Sequence, residues 1–586
     1  MEDRGSNSSS SAGPHPNPLP EGEGTGSAAP WVLAVILIAS FVLKLPNLGH
    51  PSLKPLDESF HAIVAQNLMH HPWLPTLNDG PAIDIDYRDW QNARVFLHKP
   101  PMAMWQIALS YAIFGVNTFA LRFPSLVLST LAVWLTYLIG KELVDPTAGL
   151  VAAALQAFNA PIAMLVHGHV FSDHVDISLL FWTQLAIWLL LVARRPPPQP
   201  SPGVPGEGVR WWILCGIAQG FAFLSKSYPA LIVTVLCVAG YLLERNRFSG
   251  RAVRTVILAT VLTILPWNLY AFMRWPDQFV HENLHALRHL TEDIEQWAAP
   301  WDRLVFDYWL RIFHVYYPAV IVAAIVVIVR AWKTQDARLW LLVVWGFGVL
   351  IPHLLATSKT MTATLVGWPA MWLMLGYLVS QAIKGDRLAA GAWAVAMVLP
   401  FLLGKDAIPA SGWGYSPRPG FAMIMREHLW VVWFVLASLA AGGLVMLIKP
   451  EVVTHVLVGV AGTAMLVLGV RTYGYLSWRV TQVKTEASSF VEFAPLANQL
   501  PAEAVLIVDE QSKLENKLMQ FQVRHTCYPW KGLDWRDMGR QIIDAGGLPY
   551  LVTDRPQDLP VVFSADGRTV YACSPRAAAA AKHQSP

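Results

Sequence analysis

The chain has 586 residues, of which 54% are hydrophobic and only 14% charged, with 26 tryptophans and a mean hydropathy of +0.39. That balance lies outside the soluble globular range and implies a polytopic membrane protein. The net charge of +3, without a long basic run or a phosphate-cradling glycine loop, argues against nucleic-acid and nucleotide partners.

Residues 1–29 are rich in Ser, Gly and Pro and lack apolar periodicity, so they read as a disordered tail before a retained first span. Apolar stretches then predict spans at 31–47, 121–143, 148–164, 174–193, 211–226, 229–243, 253–272, 309–330, 339–356, 363–382, 388–403, 429–448 and 452–470. These amount to about thirteen helices for a hydrocarbon core of ~30 Å. A proline-rich stretch at 196–209 is a low-complexity linker too polar to pack. The basic loops ARRPPP, ERNRFSGRAVR, RAWKTQDAR and IKGDR share one side if the N-terminus is cytoplasmic. The outer side then holds 48–120, 165–173, 226–228, 273–308, 357–362, 404–428 and everything after 471.

In the first outer loop, ESFHAIVAQNLM and MAMWQIALSYAIF read as helices whose apolar faces suit the interface plane. After residue 471, strand-like AVLIVD and PYLVT accompany helical LENKLMQFQV and DMGRQIIDAG, the pattern of a small α/β domain. The expected fold is therefore an all-α polytopic membrane domain over 30–471 and an extracytoplasmic α/β domain over 472–586. Cys215 and Cys237 read as packed thiols in apolar segments, whereas Cys527 and Cys573 leave a disulfide open in the polar tail.

Ionisable residues recur at the outer ends of spans: Asp57, Glu58, His98, Lys99, Arg122, His167, His169, Asp173, Asp176, Lys226 and Lys359. Charge is costly inside a bilayer, so this one-sided recurrence points to a shared polar cavity, against the alternative that helix ends collect polar residues anyway. Asp57 is balanced between helix N-cap and active acid, and Glu58 in the next position suits the helix dipole. Asp173 and Asp176, three apart, share a helix face near the top of a span. Two carboxylate sites reaching one cavity can divide the labour, one taking an acceptor proton and the other orienting acceptor or sugar. Lys99, followed by two prolines that start the next helix, is placed to meet an interfacial phosphate or to snorkel to headgroups. Lys226 and Lys359 at outer turns complete a cationic cluster for a lipid phosphate. The histidines have no tight ligand spacing, so surface or packing roles weigh more than a metal site.

Five stretches together carry a resemblance: LDES after the first span, HKPPMAMWQIALSYAIFGVNTFALRFPS, DISLLFWTQLA, GFAFLSKSYPAL and SKTMT before WPAMWLMLGY. In order and placement, residues 31–470 resemble the GT-C integral-membrane glycosyltransferases that use polyprenyl-phosphate sugars, among them protein O-mannosyltransferases and bacterial aminoarabinose–lipid A transferases. The resemblance implies a multi-pass protein of the inner (plasma) membrane that moves a sugar from a polyprenyl-phosphate donor to a lipid, protein or glycan acceptor. It assigns Asp57 as catalytic base with Glu58 as acidic neighbour, and Asp176 as second acid. It assigns Lys99, Lys226, Lys359 and Arg288, in HENLHALRHL, to the donor phosphate. It implies single displacement with inversion at the anomeric carbon.

The chain departs from the family in three places. His98 stands where the family often has Glu, which leaves Glu58 and His98 as candidates for a possible divalent metal. The usual Tyr and Pro after Lys359 are missing, and NDGPAIDIDYRDWQNARV enlarges the first loop. A transporter or flippase of lipid-linked saccharides is the alternative, but it calls for charges near the bilayer midplane and internal repeats. A membrane scaffold would leave the outer acids and lysines without a common site.

Overall fold

The computed structural model describes residues 29–51, 53–54, 57–80, 83, 85–168, 173–195, 207–294, 317–358, 362, 364–403, 490, 492–509, 515–530 and 534–582. The expected spans at 429–448 and 452–470, most of the 196–209 linker, almost all of the 1–29 tail, and the residues Lys359 and His169 lie outside these. Helices run in the order α1 (Ala29–Lys44), α2 (Asp57–Leu68), α3 (Met102–Phe114), α4 (Thr118–Leu143), α5 (Pro146–Ala157), α6 (Ala160–Val166), α7 (Asp173–Ala193) and α8 (Glu207–Lys226). They continue with α9 (Ile232–Leu243), α10 (Gly250–Arg274), α11 (Pro276–Arg288), α12 (Tyr317–Thr334), α13 (Ala337–Leu355), α14 (Trp368–Ile383) and α15 (Arg387–Leu403).

Among the described residues, five helices are long and apolar enough to cross a membrane: Thr118–Leu143, Asp173–Ala193, Gly250–Arg274, Ala337–Leu355 and Leu365–Ile383. Their starts follow local chemistry. Asn117 caps α4 by accepting the Ala120 N–H at 2.9 Å, and Ser249 caps α10 through the Ala252 N–H at 3.1 Å. The span expected at 148–164 is two helices. Asn159 accepts the Ile162 N–H at 3.1 Å and Pro161 follows, so a new helix starts where one continuous span was read. Glycine lets α4 and α5 touch backbone to backbone, since a Cβ on Gly140 would lie 2.5 Å from the Gly149 Cα.

The first loop also departs from expectation. Helix α2 forms, but it does not lie on an interface: Phe60, His61, Ala62, Ile63, Val64 and Ala65 are all buried. Helix α3 does present an apolar edge, with Leu109 and Ile113 each 65% exposed.

The cover over α2 comes from the C-terminal domain. Its helices are α16 (Phe493–Ala497), α17 (Glu515–Val523), α18 (Trp535–Asp544) and α19 (Pro575–Lys582). Its strands are β1 (Ala504–Val508), β2 (Thr526–Pro529), β3 (Leu548–Thr553), β4 (Val561–Ala565) and β5 (Arg568–Ala572), in the order β2-β1-β3-β5-β4. The first three are parallel, while β5 and β4 are antiparallel. Asp566 and Gly567, with φ of 51° and 74°, make the tight turn between β4 and β5, where a left-handed pair matches the strand twist.

Cys527 and Cys573 are both free. Cys527 lies on β2 and Cys573 follows β5, three strand spacings apart, or roughly 14 Å at ~4.8 Å per strand. A disulfide needs Cα atoms within about 7 Å.

Helix α17 packs on α2, and Phe521 joins the cluster of Phe60, Phe96 and Tyr111. Gln520 Nε2 donates to the Leu77 carbonyl at 2.5 Å, and the Ile83 N–H donates to the Tyr528 hydroxyl at 3.1 Å. The enlarged first loop is thus clamped between the two parts of the molecule. A Gln520→Ala, Tyr528→Phe double variant loses both polar clamps, each contributing about 1 kcal/mol. Limited proteolysis is expected to cut the segment 79–95 several-fold faster, with helical content by circular dichroism unchanged.

Candidate functional site

Helix α2 is fixed first. Arg122, near the start of α4, grips Glu58 with two donors, Nε to Oε1 at 2.7 Å and Nη2 to Oε2 at 3.1 Å. The Lys54 N–H adds a third bond at 2.7 Å, and His174 Nε2 lies 3.7 Å from Oε1. Arg122 Nη1 also donates to the carbonyls of Leu48 and His50 at 3.2 and 3.1 Å. One guanidinium therefore ties the α1–α2 connection and α2 to α4. Burial opposes ionisation of Glu58, but the Arg122 guanidinium and His174 outweigh it and hold the carboxyl well below its ordinary range. Gly168, at φ +70°, is pressed against this pair, and a Cβ there would lie 2.1 Å from the Glu58 carboxyl. Only glycine fits.

With α2 anchored, Asp57 is the first residue of the helix and is half-buried. One turn on, His61 Nδ1 meets Asp173 Oδ1 at 2.8 Å, and both side chains are fully buried. The two acids of α7 therefore part: Asp173 turns to α2, while Asp176 accepts from Lys226 of α8 at 2.6 Å. Lys226 also donates to the Thr362 hydroxyl at 3.3 Å.

Lys99 sits at the end of a short antiparallel pairing, in which the Phe96 N–H donates to the Pro75 carbonyl at 2.8 Å and the Leu77 N–H to the Arg94 carbonyl at 2.9 Å. Pro100 and Pro101 follow and lead into α3. Lys99 Nζ lies 3.1 Å from His98 Nε2. An ammonium only donates, so Nε2 accepts and the Nδ1–H is left to donate to Glu282 Oε2 of α11, at 3.0 Å. Burial and the Lys99 charge push His98 well below its ordinary value, and burial pushes Glu282 up. The pair is a hydrogen bond from a neutral ring, not an ion pair. Trp90 stacks on that ring at 4.1 Å between centroids.

The three groups face one another. His61 and His98 both feel the charges of Asp57 and Lys99. His289 of the α11 end is pushed down to about 4, by burial first and then by His285, Lys99 and Lys226. Asp57, Asp176, Lys99 and Lys226 are brought to one end of α7 and α8, whereas Arg288 lies on the exposed face of α11, paired with Glu292 at 2.7 Å. Glu58 and His98, the candidate metal ligands, direct their polar atoms to Arg122 and to Lys99 with Glu282. Among the described residues no group of three or more His, Cys, Asp or Glu is placed to hold a metal ion.

Arg122 and Asp173 had been named among the ionisable residues at span ends without a specific partner, Glu282 was not singled out from sequence, and His61 carried no signal beyond its place one turn after Asp57.

The chain is similar to known proteins in sequence and in fold. Residues 98–270 match the family model described as dolichyl-phosphate-mannose-protein mannosyltransferase. The chain is 34% identical over 217 residues to an undecaprenyl phosphate-alpha-4-amino-4-deoxy-L-arabinose arabinosyl transferase of Pseudomonas aeruginosa, covering 35% of this chain and 36% of that protein. It is 25% identical to the second such transferase of Pseudomonas fluorescens, over 61% of each. The chain thus spans from about a third to three fifths of the length of these curated relatives. It shares its fold with the crystal structure of ArnT from Cupriavidus metallidurans bound to undecaprenyl phosphate, with a TM-score of 0.58 at 17% identity, covering 94% of this chain and 99% of that one. The Archaeoglobus fulgidus oligosaccharyltransferase gives a TM-score of 0.55 at 11% identity, covering 91% of this chain and 70% of that one. The resemblance is carried by sequence over residues 98–270, which hold HKPP, DISLLFWTQLA and GFAFLSKSYPAL, and by fold over most of the chain.

Removing one partner of a buried ion pair strands the other charge, at about 3–5 kcal/mol. Arg122→Met is expected to lower the detergent-solubilised melting temperature accordingly, and adding Glu58→Gln to restore part of it. Since the folded Glu58 is held below its ordinary value of 4.5, its contribution is present above that pH and lost as pH falls further. Thermal unfolding between pH 7 and pH 3 should therefore show the difference between wild type and the double variant shrink.

Proposed function

We propose that this chain is an inverting glycosyltransferase that moves a sugar from a polyprenyl-phosphate carrier to an acceptor at the outer face of the inner membrane. The observation that carries the reading is the gathering of Asp57, Asp176, Lys99 and Lys226 from α2, α7, α8 and the loop before α3 at one end of the bundle. The matched relatives are named as undecaprenyl-phosphate aminoarabinose transferases, so 4-amino-4-deoxy-L-arabinose on undecaprenyl phosphate is the first donor to test. The acceptor is a lipid, protein or glycan that reaches the same end of the bundle. In this reading the chain crosses the membrane about thirteen times, for a core of ~30 Å, with its N-terminus cytoplasmic and its C-terminal domain outside.

Asp57 takes the proton of the acceptor nucleophile as that atom bonds to the anomeric carbon. The bond from that carbon to the phosphate oxygen breaks, and its electron pair leaves on the phosphate. Phosphate is already a fair leaving group, so cations at Lys99 and Lys226 can stabilise it without a general acid. Lys359 and Arg288 are the further phosphate contacts in this proposal, and the exposed Arg288–Glu292 pair costs little to exchange for a phosphate. Asp176, held by Lys226, orients acceptor or sugar. Glu58 supports the site by fixing α2 rather than by touching substrate.

The test is purified protein with radiolabelled polyprenyl-phosphate sugars. Asp57→Asn is expected to cut turnover by about 10²–10⁴-fold, and Lys99→Ala to raise KM for the donor more than it lowers kcat. Full turnover by Asp57→Asn would sink the base assignment. Failure of every donor to transfer, with uptake into vesicles instead, would favour a flippase.

A further inference from the structure

The buried His61–Asp173 pair has no part in the mechanism above, yet it sits beside its central residue. His61 is fully buried, and its Nε2 has no hydrogen-bond partner among the described residues. Leaving a buried polar atom unpaired costs about 1–3 kcal/mol, so a structural staple between α2 and α7 accounts for Nδ1 but not for Nε2. The residue four positions back on the same helix is Asp57, and residues i and i+4 are neighbours on one face.

The charged groups around His61 can be taken element by element. Helix α7 presents Asp173, whose other acceptor duty is to the His174 N–H. The loop before α3 presents Lys99, and α2 itself presents Asp57. Glu58 is taken by Arg122 of α4, and His174 donates or accepts with Ser125 at 2.8 Å. On α17, Lys517 donates to Gln520 and to the Cys527 carbonyl. Two carboxylates and one cation thus frame the ring.

We propose that His61 is the positioning residue for Asp57: Asp173 grips the imidazole at Nδ1, and the charge of the ring so fixed, one turn along the same helix, holds the Asp57 carboxylate turned towards the reacting centre. The inference rests on Asp57 being the base of the transfer. An imidazolium between two carboxylates draws both of them towards the ring by charge. The acceptor proton still goes to Asp57, and His61 keeps its own through the step. Burial works against the imidazolium, but Asp173 and then Asp57 more than offset it, so His61 titrates above its usual value. The arrangement is therefore intact at neutral pH and lost as pH rises through the raised value.

The test uses the full-length protein in detergent. His61→Gln retains an amide to meet Asp173 but carries no charge. It should lower kcat about tenfold or more with KM for the donor nearly unchanged, and remove the alkaline fall in kcat that the wild type shows. Asp173→Asn should act the same way, and the double variant should add little, as residues acting as a unit do. A purely structural pair would instead lower the melting temperature and leave the pH profile of the folded fraction as in wild type, which would overturn the proposal.

A second reading does not depend on turnover. In histidine-labelled protein, the resonance missing from His61→Gln identifies His61, and Asp57→Asn should lower its titration midpoint. An unchanged midpoint overturns the proposal even if no donor is ever transferred. Absence of transfer by wild type with a shifted midpoint overturns the proposed activity and leaves the His61–Asp57 coupling standing.

Discussion

The site hangs from one buried ion pair. Arg122 spends all three of its nitrogens on α2 and on the chain leading into it, so the helix that carries Asp57 cannot move independently of α4. The pair is strong because both partners are buried. Its side chains are 3% and 0% exposed, Glu58 Oε2 also accepts from the Lys54 N–H, and Gly168 is pressed against the carboxyl. A charge pair this enclosed does little for net stability compared with apolar residues of the same size. What it contributes is placement, since neither partner has an alternative that costs less.

From that anchor the polar groups arrange themselves by what each can satisfy. Glu58 is consumed by Arg122, which leaves Asp57 as the acid at the start of α2 that faces the cations. Asp173 and Asp176, on one face of α7, go to opposite partners because α2 and α8 flank that face. Lys99 is pinned by two prolines on one side and a short strand pairing on the other, with His98 stacked on Trp90 beneath it. Each cation that faces the acids thus comes from a different element, and none approaches through the apolar body of the bundle, where charge would be costly.

The C-terminal domain belongs to the same construction. Its helix α17 packs on α2, and its strand β2 receives the enlarged first loop through Tyr528 and Ile83. A helix with an apolar surface in the first loop was expected to lie in the membrane interface. The apolar surface of α2 is buried against protein instead, because Phe521 and the Phe60–Phe96 cluster provide a drier and better-packed surface than a headgroup layer.

Much of this was legible in the residues alone. Apolar length marked α4, α7, α10, α13 and α14 to within a few positions, because a bilayer demands long uninterrupted apolar helices. Alternation and β-branching marked β1 and β3, and Asp566–Gly567 is a hairpin signal that was available and passed over, while the four residues of β2 are too few to stand out. Asn159 and Pro161 were likewise enough to break a span that periodicity alone ran together. The candidate acids and lysines could be named from their placement at span ends, since charge avoids the apolar interior. The sequence could not say which acid meets which cation. Glu58 and Arg122 are 64 positions apart, His61 and Asp173 are 112 apart, and His98 and Glu282 are 184 apart. A carboxylate's role depends on what lies within about 4 Å of it, and only the packing of α2, α4, α7, α8 and α11 decides that.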